Sequence, residues 1–149
     1  MTTELRFVAG APLGRLCRWL RTLGFDCLYL ADEKGGAPKE TRSDRVYLTR
    51  HVDPSERGVI FIGEDRVFDQ LRVMDSLISL KGRSVVPLSR CIRCNRPLVE
   101  AKRGEVKGEV PEHVFLSHDE FTRCPSCGRI YWPGTHVDRM GERIAEIFG

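Results

Sequence analysis

Four of the six cysteines form two pairs with the Cys-x-x-Cys spacing of metal-binding turns. The pairs are Cys91/Cys94 and Cys124/Cys127. Each such turn places two thiolates on one side of an ion, and two turns complete the tetrahedral shell that zinc prefers. Four thiolates leave no open coordination position, so the predicted Zn²⁺ is structural and does not activate water.

The 29 residues between the two pairs are mostly polar and charged. We expect a hairpin to span them, with the metal replacing a hydrophobic core that this segment cannot build alone. Asn95 and Gly128 each follow the second cysteine of a pair, where a tight turn favours such residues. The remaining cysteines, Cys17 and Cys27, are predicted to be ordinary core residues.

Hydrophobic patterning upstream of the cysteine pairs predicts an α/β domain. A helix is expected from Leu13 to a glycine stop at Gly24, and a second over 65–80. The sequence therefore predicts a mostly parallel sheet in residues 1–88, followed by a small four-cysteine zinc ribbon and tail in residues 89–149. Strands are expected over 5–9, 25–30, 45–49 and 58–62, with an extended segment over 84–88.

Composition and charge limit the classes of function. The chain is 41% hydrophobic and 30% charged, as in globular proteins, and no apolar run approaches the roughly 18 residues of a membrane span. The start MTTELRF lacks the pattern of a signal peptide, so we expect a cytoplasmic protein with no membrane partner. Residues 81–107 carry eight basic and two acidic side chains, which form either a phosphate-attracting surface or a solvated face.

Several longer motifs together resemble one family. The stretches RFVAGAPLGRLCRWLRTLGFDCLYL, VYLTR, GVIFIGEDRVFDQL and CIRCNRPL, with the tail CPSCGRIYWPGTHVDRM, are similar to those of the Mut7-C RNase family. The resemblance covers nearly the whole chain. It implies a PIN-like nuclease fold followed by a zinc ribbon, and a metal-dependent ribonuclease ancestry.

The chain departs from this family pattern at two positions. The family usually has an Asp after the first strand, where this chain has Gly10, and an Asp after the LTR of the third strand, where it has His51. The acidic helix between the second and third strands is reduced to a loop, in which Glu40 or Asp44 is the best remnant. A hard Mg²⁺ or Mn²⁺ ion held by one or two carboxylates would bind weakly.

The candidate catalytic residues are the acids and the histidine that remain near the expected strand ends: Glu64, Asp65, Asp53 and His51. Glu64 and Asp65 either bind a metal or begin a helix, where acids favour the macrodipole and Asp65 would be the cap. His51 is either a metal ligand or general base, or a structural residue. Asp53 lies two residues past His51 and would replace the missing family Asp through a local shift of the chain. Asp26, Asp32 and Glu33 are further acids near the second strand.

Four arginines are candidates for binding RNA: Arg15, Arg18, Arg21 and Arg50. They line either a phosphate-binding groove or a solvated polar face. Trp19, Tyr131 and Trp132 are expected to pack within the fold instead of stacking on bases. His136, which matches the family tail, is expected to pack or hydrogen-bond between the ribbon and the domain.

Two functions remain open at this point. One is a metal-dependent ribonuclease with a depleted carboxylate site. The other is a catalytically inactive PIN-like and zinc-ribbon module that binds RNA or a protein partner. A homodimer is compatible with either.

Overall fold

The computed structural model describes residues 5–31, 44–51, 58–80, 88–133, 139 and 142–146. Two compact units divide the chain, Met1–Asn95 and Arg96–Gly149. The predicted segment 84–88 falls mostly outside the described residues.

The first unit contains a four-stranded parallel sheet, as the sequence predicts. Its strands are β1 (Arg6–Ala9), β2 (Asp26–Tyr29), β3 (Val46–Thr49) and β4 (Val59–Phe61), in the order β2-β1-β3-β4. The register pairs Phe7 with Cys27 and with Val46. Short apolar strands suit a parallel sheet because both of its faces are covered. Since all strands run the same way, their carboxyl ends share one edge, called here the carboxyl edge, and their first residues share the amino edge.

Helix α1 (Gly14–Thr22) follows β1 through a 3₁₀ turn at Ala11–Leu13. It buries Leu16 and Leu20 and packs against β1 and β2. Gly24, at φ 103°, ends the helix. The N–H of Gly24 donates to Arg21 O at 3.0 Å and that of Phe25 to Leu20 O at 2.9 Å, which is the Schellman arrangement. The predicted glycine stop is therefore confirmed.

Helix α2 (Val67–Ile78) contacts α1 and buries Val67, Leu71 and Met74. Trp19 of α1 packs edge-to-face on Phe68, with ring centroids 5.3 Å apart. The predicted cap at Asp65 is wrong: Arg66 occupies the N-cap position, and its side chain makes no capping hydrogen bond. The Asp65 carboxylate instead accepts a hydrogen bond from Arg50 Nη2 at 3.0 Å.

An ion pair holds the amino edge together. Arg45, just before β3, donates to the two carboxylate oxygens of Asp26 at 2.6 and 3.2 Å, and also to Phe7 O at 3.0 Å. Asn95 adds a hydrogen bond to the same carboxylate at 2.7 Å. Burial opposes ionisation of Asp26, but the hydrogen bonds from Arg45 and Asn95 and the Arg45 charge outweigh it and hold the Asp26 pKa below its usual value. The Asp26 carboxylate thus joins the start of β2 to the residue before β3 and to the residue after the first cysteine pair.

The second unit contains an antiparallel sheet of β5 (Val99–Ala101), β6 (Phe121–Arg123) and β7 (Ile130–Tyr131), in that order. Two short helices, α3 (Arg103–Val106) and α4 (Glu112–Ser117), lie between β5 and β6. Residues 142–146 are also helical.

The expectation that the segment between the cysteine pairs has no core is wrong. A small buried cluster forms there because apolar residues recur every four positions within polar sequence and meet the sheet. Its buried members are Ala101, Val106, Val110, Val114 and Phe121, with Phe115, Ile130 and Trp132 packed against them. A metal held by the four cysteines would therefore supplement this core and not replace it.

Among the described residues, no helix is both long and apolar enough to cross a membrane.

Replacement of Asp26 by Asn should lower the free energy of unfolding at pH 7 by about 1.5–3 kcal/mol, because the charged hydrogen bonds to Arg45 are lost. The pKa of Asp26 is depressed in the folded state. Its contribution is therefore present above the ordinary value of 3.8 and is lost as pH falls through the folded pKa. The difference in free energy of unfolding between wild type and Asp26→Asn, measured by urea unfolding, should shrink as the pH falls below about 4.

Asp44→Asn is the matched control, since Asp44 also lies before β3 but forms an exposed ion pair with Arg6. Its effect should stay under about 1 kcal/mol. Equal losses for the two variants, or a difference for Asp26→Asn that does not change with pH, would contradict this role.

Candidate metal centre and carboxyl edge

The four predicted zinc ligands lie together. The sulfur atoms of Cys91, Cys94, Cys124 and Cys127 are all within 4.8 Å of one another. A tetrahedral ion with metal–sulfur bonds of about 2.3 Å has sulfurs about 3.8 Å apart, so the cluster fits such an ion after a small contraction. Cys91 and Cys124 are buried, and Cys127 is exposed. The arrangement is consistent with a zinc ribbon.

The two cysteine turns share one backbone conformation. The N–H of Asn95 donates to Cys91 O and that of Gly128 to Cys124 O, both at 2.9 Å. Asn95 and Gly128 have φ values of 60° and 77°, in the left-handed region. In the second turn, the N–H groups of Ser126 and Cys127 also point at Cys124 Sγ, each at 3.4 Å. Both turns thus combine a left-handed residue with a closing hydrogen bond to the first cysteine.

Arg21 fastens the first cysteine turn to α1 and β2. Its Nη1 donates to Ile92 O at 2.8 Å and to Arg93 O at 3.3 Å, and its Nε donates to Cys27 O at 2.9 Å. These bonds occupy the guanidinium within the fold. The prediction that Arg21 binds RNA stays untested, but a structural role for it is now visible.

Arg15 and Arg18 are exposed on α1. They are three residues apart and therefore neighbours on one face of the helix. Because α1 starts just after the carboxyl end of β1, Arg15 is the nearer of the two to the carboxyl edge. Their role as RNA contacts remains a prediction.

Three of the candidate catalytic residues follow strands at the carboxyl edge. His51 comes two residues after β3 and is exposed, with its N–H donating to Thr49 Oγ1 at 3.0 Å. Glu64 and Asp65 follow β4. Asp65 is 90% exposed and is paired with Arg50, whose Nη1 also donates to Glu64 O at 2.6 Å. Arg50 thus holds the segment after β4 against the end of β3.

These residues do not form a three-ligand metal site by themselves. Within the described parts of the chain, the only group of three or more metal-ligating side chains is the cysteine cluster. Asp53, Asp32, Glu33, Glu40 and His136 lie outside the described residues, so their predicted positions are untested. Asp26 lies at the amino edge, at the opposite end of β2 from the carboxyl edge, and cannot join Glu64 and Asp65.

Sequence reasoning missed two features of the site. Asn95 binds the edge of β2 with its side chain, although its place after Cys94 suggested only a turn. Arg50 binds Asp65, although it was considered only as a phosphate contact. An arginine after one strand and an acid after the adjacent strand were visible in the sequence, but the sheet order that joins them was not.

A four-stranded parallel sheet with helices, combined with a cluster of four cysteines, defines an α/β protein with a zinc-ribbon-like metal site. Residues 5–144 match the model of the Mut7-C RNAse domain, which is nearly the whole chain. The chain belongs to the Mut7-C RNAse domain family. No significant match to it was found among curated proteins or among solved structures.

Purified protein should contain about one zinc per chain by elemental analysis, because four converging thiolates bind this ion tightly. The Cys91→Ser/Cys94→Ser variant should lose the metal. Cys17→Ala, which alters a buried cysteine outside the cluster, should keep it. A zinc content near zero in wild-type protein that stays folded in chelator would rule out a structural zinc.

Proposed function

We propose that this protein is a metal-dependent ribonuclease that hydrolyses RNA phosphodiester bonds at the carboxyl edge of a PIN-like domain. The PIN-like domain would span residues 1–88, and residues 89–149 would form the ribbon with its structural Zn²⁺. Membership of the Mut7-C RNAse domain family supports this activity. The observation that carries it is the placement of His51, Glu64 and Asp65 after neighbouring strands β3 and β4.

The carboxyl edge suits this chemistry because side chains after parallel strands converge there. A bound Mg²⁺ or Mn²⁺ would activate water and offset charge on the phosphate. Glu64 and Asp65 offer the oxygen ligands that such ions prefer, and Asp53 is the third candidate. His51 would accept a proton from water as a general base. With few carboxylates the ion is held weakly, so we expect a requirement for high concentrations of divalent metal.

Arg50 gives the edge a second role. The Arg50 side chain is 30% exposed and that of its partner Asp65 is 90% exposed, so an arriving phosphate can reach both. Arginine pairs with phosphate through two parallel hydrogen bonds. On binding RNA, Arg50 would exchange Asp65 for a phosphate and release the carboxylate to the metal. Arg15 and Arg18 on α1 would extend this positive surface.

The second candidate function is an RNA-binding module without hydrolysis. One observation favours it: in the part of the chain that the structure describes, no carboxylate directly follows either of the two inner strands of the sheet. Gly10 follows β1, and Arg50 and His51 follow β3. The Arg50 charge also neutralises Asp65 in the absence of RNA. Such an edge still attracts phosphate, because affinity for RNA depends mainly on the basic side chains.

Labelled single-stranded RNA incubated with wild-type protein and Mn²⁺ should be cleaved. The Glu64→Ala/Asp65→Ala variant should lose about 10²-fold or more in rate, since removal of charge stabilisation costs that much. The control is Glu100→Ala/Glu120→Ala, which removes the same charge from exposed positions of the second unit and should cleave like wild type.

Binding separates the two candidates. If neither wild type nor variant cleaves, but both bind RNA with an affinity that falls steeply with salt, the second candidate replaces the first. Cleavage of equal rate in wild type and in Glu64→Ala/Asp65→Ala would show that the reaction uses another site. Absence of both cleavage and binding would contradict both candidates.

A further inference from the structure

Asn95 connects the first cysteine turn to the α/β unit through its side chain. Its Oδ1 accepts the N–H of Cys27 at 2.9 Å, and its Nδ2 donates to Asp26 Oδ1 at 2.7 Å. Its carbonyl accepts from Arg90 Nη1 at 2.6 Å. Only 8% of Asn95 is exposed, so these bonds form away from water. A polar side chain buried to this degree, with both ends of its amide bound, is held in one position.

The strand that Asn95 contacts is an outer strand of the sheet. Among the described strands, β2 pairs with β1 alone, so backbone groups on its other side face no partner strand. Cys27 presents both of its backbone groups on that side. Asn95 takes the N–H, while Arg21 Nε and Cys17 Sγ donate to the carbonyl at 2.9 and 3.5 Å. Asn95 therefore stands where a further strand would otherwise bond.

Comparison of the two cysteine turns shows that the Asn95 side chain is not required for the turn. Gly128 occupies the equivalent place after Cys127 with the same left-handed backbone and the same hydrogen bond. Glycine adopts this conformation most easily, and asparagine is among the few other residues that tolerate it. The first turn thus has asparagine where glycine would adopt the left-handed conformation more easily. The asparagine adds a carboxamide, and this carboxamide binds β2.

We propose that Asn95 is a positioning residue that links metal binding at Cys91 and Cys94 to the stability of β2 and of the Asp26–Arg45 pair. A metal held by the two thiolates fixes the turn, and the turn fixes the Asn95 backbone. That backbone directs the carboxamide onto Cys27 and Asp26. Because linkage is reciprocal, the contact with β2 strengthens metal binding by the same factor by which the metal strengthens the contact. This inference depends on metal occupancy and is independent of cleavage.

The Asn95→Gly variant tests the link, since glycine keeps the turn and removes only the side chain. In zinc-loaded protein, the amide of Cys27 should exchange with solvent about tenfold faster or more than in wild type, as measured by nuclear magnetic resonance. Zinc affinity in competition with a chelator should fall about 5-fold or more, in the range typical of coupled sites.

Gly128→Asn is the matched control, which places the same residue in the second turn. A Cβ there would meet Arg123 Nη1 at 3.9 Å, so there is room for the side chain, and asparagine is among the few residues that tolerate the left-handed backbone of Gly128. Its Cys27 exchange and zinc affinity should remain within about 3-fold of wild type.

Wild-type protein provides a second measurement that needs no variant. Removal of zinc by chelator should speed exchange of the Cys27 amide more than that of Ala9 in the inner strand β1. The proposal is overturned if Asn95→Gly leaves zinc affinity unchanged, even where Cys27 exchange becomes faster through loss of its direct hydrogen bond. It is also overturned if removal of zinc from the wild type does not change the ratio of the amide exchange rates of Cys27 and Ala9.

Discussion

Parallel pairing of β1 with β2 and β3, and of β3 with β4, determines where every candidate group of the α/β unit can act. It sends all strand ends to one edge and all strand starts to the other. An acid that follows a strand of this unit can therefore contribute to a site at the carboxyl edge. An acid at the start of a strand cannot, because the length of the strand separates it from that edge. Each strand is only three or four residues long, so one residue of register decides which group lies at the end.

Each edge of the sheet has an arginine–aspartate ion pair, but the two pairs differ in burial and in the number of their hydrogen bonds. At the amino edge, Asp26 is shielded, bound twice by Arg45 and once by Asn95, and its pKa is held low. Such a carboxylate is fully used in holding β1, β2 and β3 together. At the carboxyl edge, Asp65 makes a single hydrogen bond to Arg50 while exposed to water. Screening makes that pair weak, so an ion or a phosphate can replace either partner.

Much of this fold is predictable because strong local signals agree with it. Apolar runs indicated the four strands, Leu16 and Leu20 marked the buried face of α1, and the Gly24 stop followed from the need for a left-handed residue. The cysteine cluster was predictable because Cys-x-x-Cys spacing encodes the geometry of the turn.

What the sequence did not reveal depends on contacts between distant residues. The sheet order that pairs Arg50 with Asp65 has no local signal. Neither does the bond from Asn95 to Cys27, which joins residues 68 positions apart. The core around Val106 and Val114 was hidden because each apolar residue is isolated among charged neighbours, and only the fold brings them together. Asp26 was considered with the other acids near the second strand, although the predicted strand over 25–30 placed it at the start; its bonds to Arg45 and Asn95 had no local signal.

The proposed ribonuclease activity requires a divalent ion at the carboxyl edge, beside Glu64 and Asp65. Titration of zinc-loaded protein with Mn²⁺ tests it most directly, because a paramagnetic ion broadens the amide signals of nearby residues even when it binds weakly. We predict broadening at Glu64, Asp65 and His51 before Asp26 at the amino edge, and its loss in Glu64→Ala/Asp65→Ala. Uniform broadening of all exposed amides, or broadening that persists in the variant, would contradict the account.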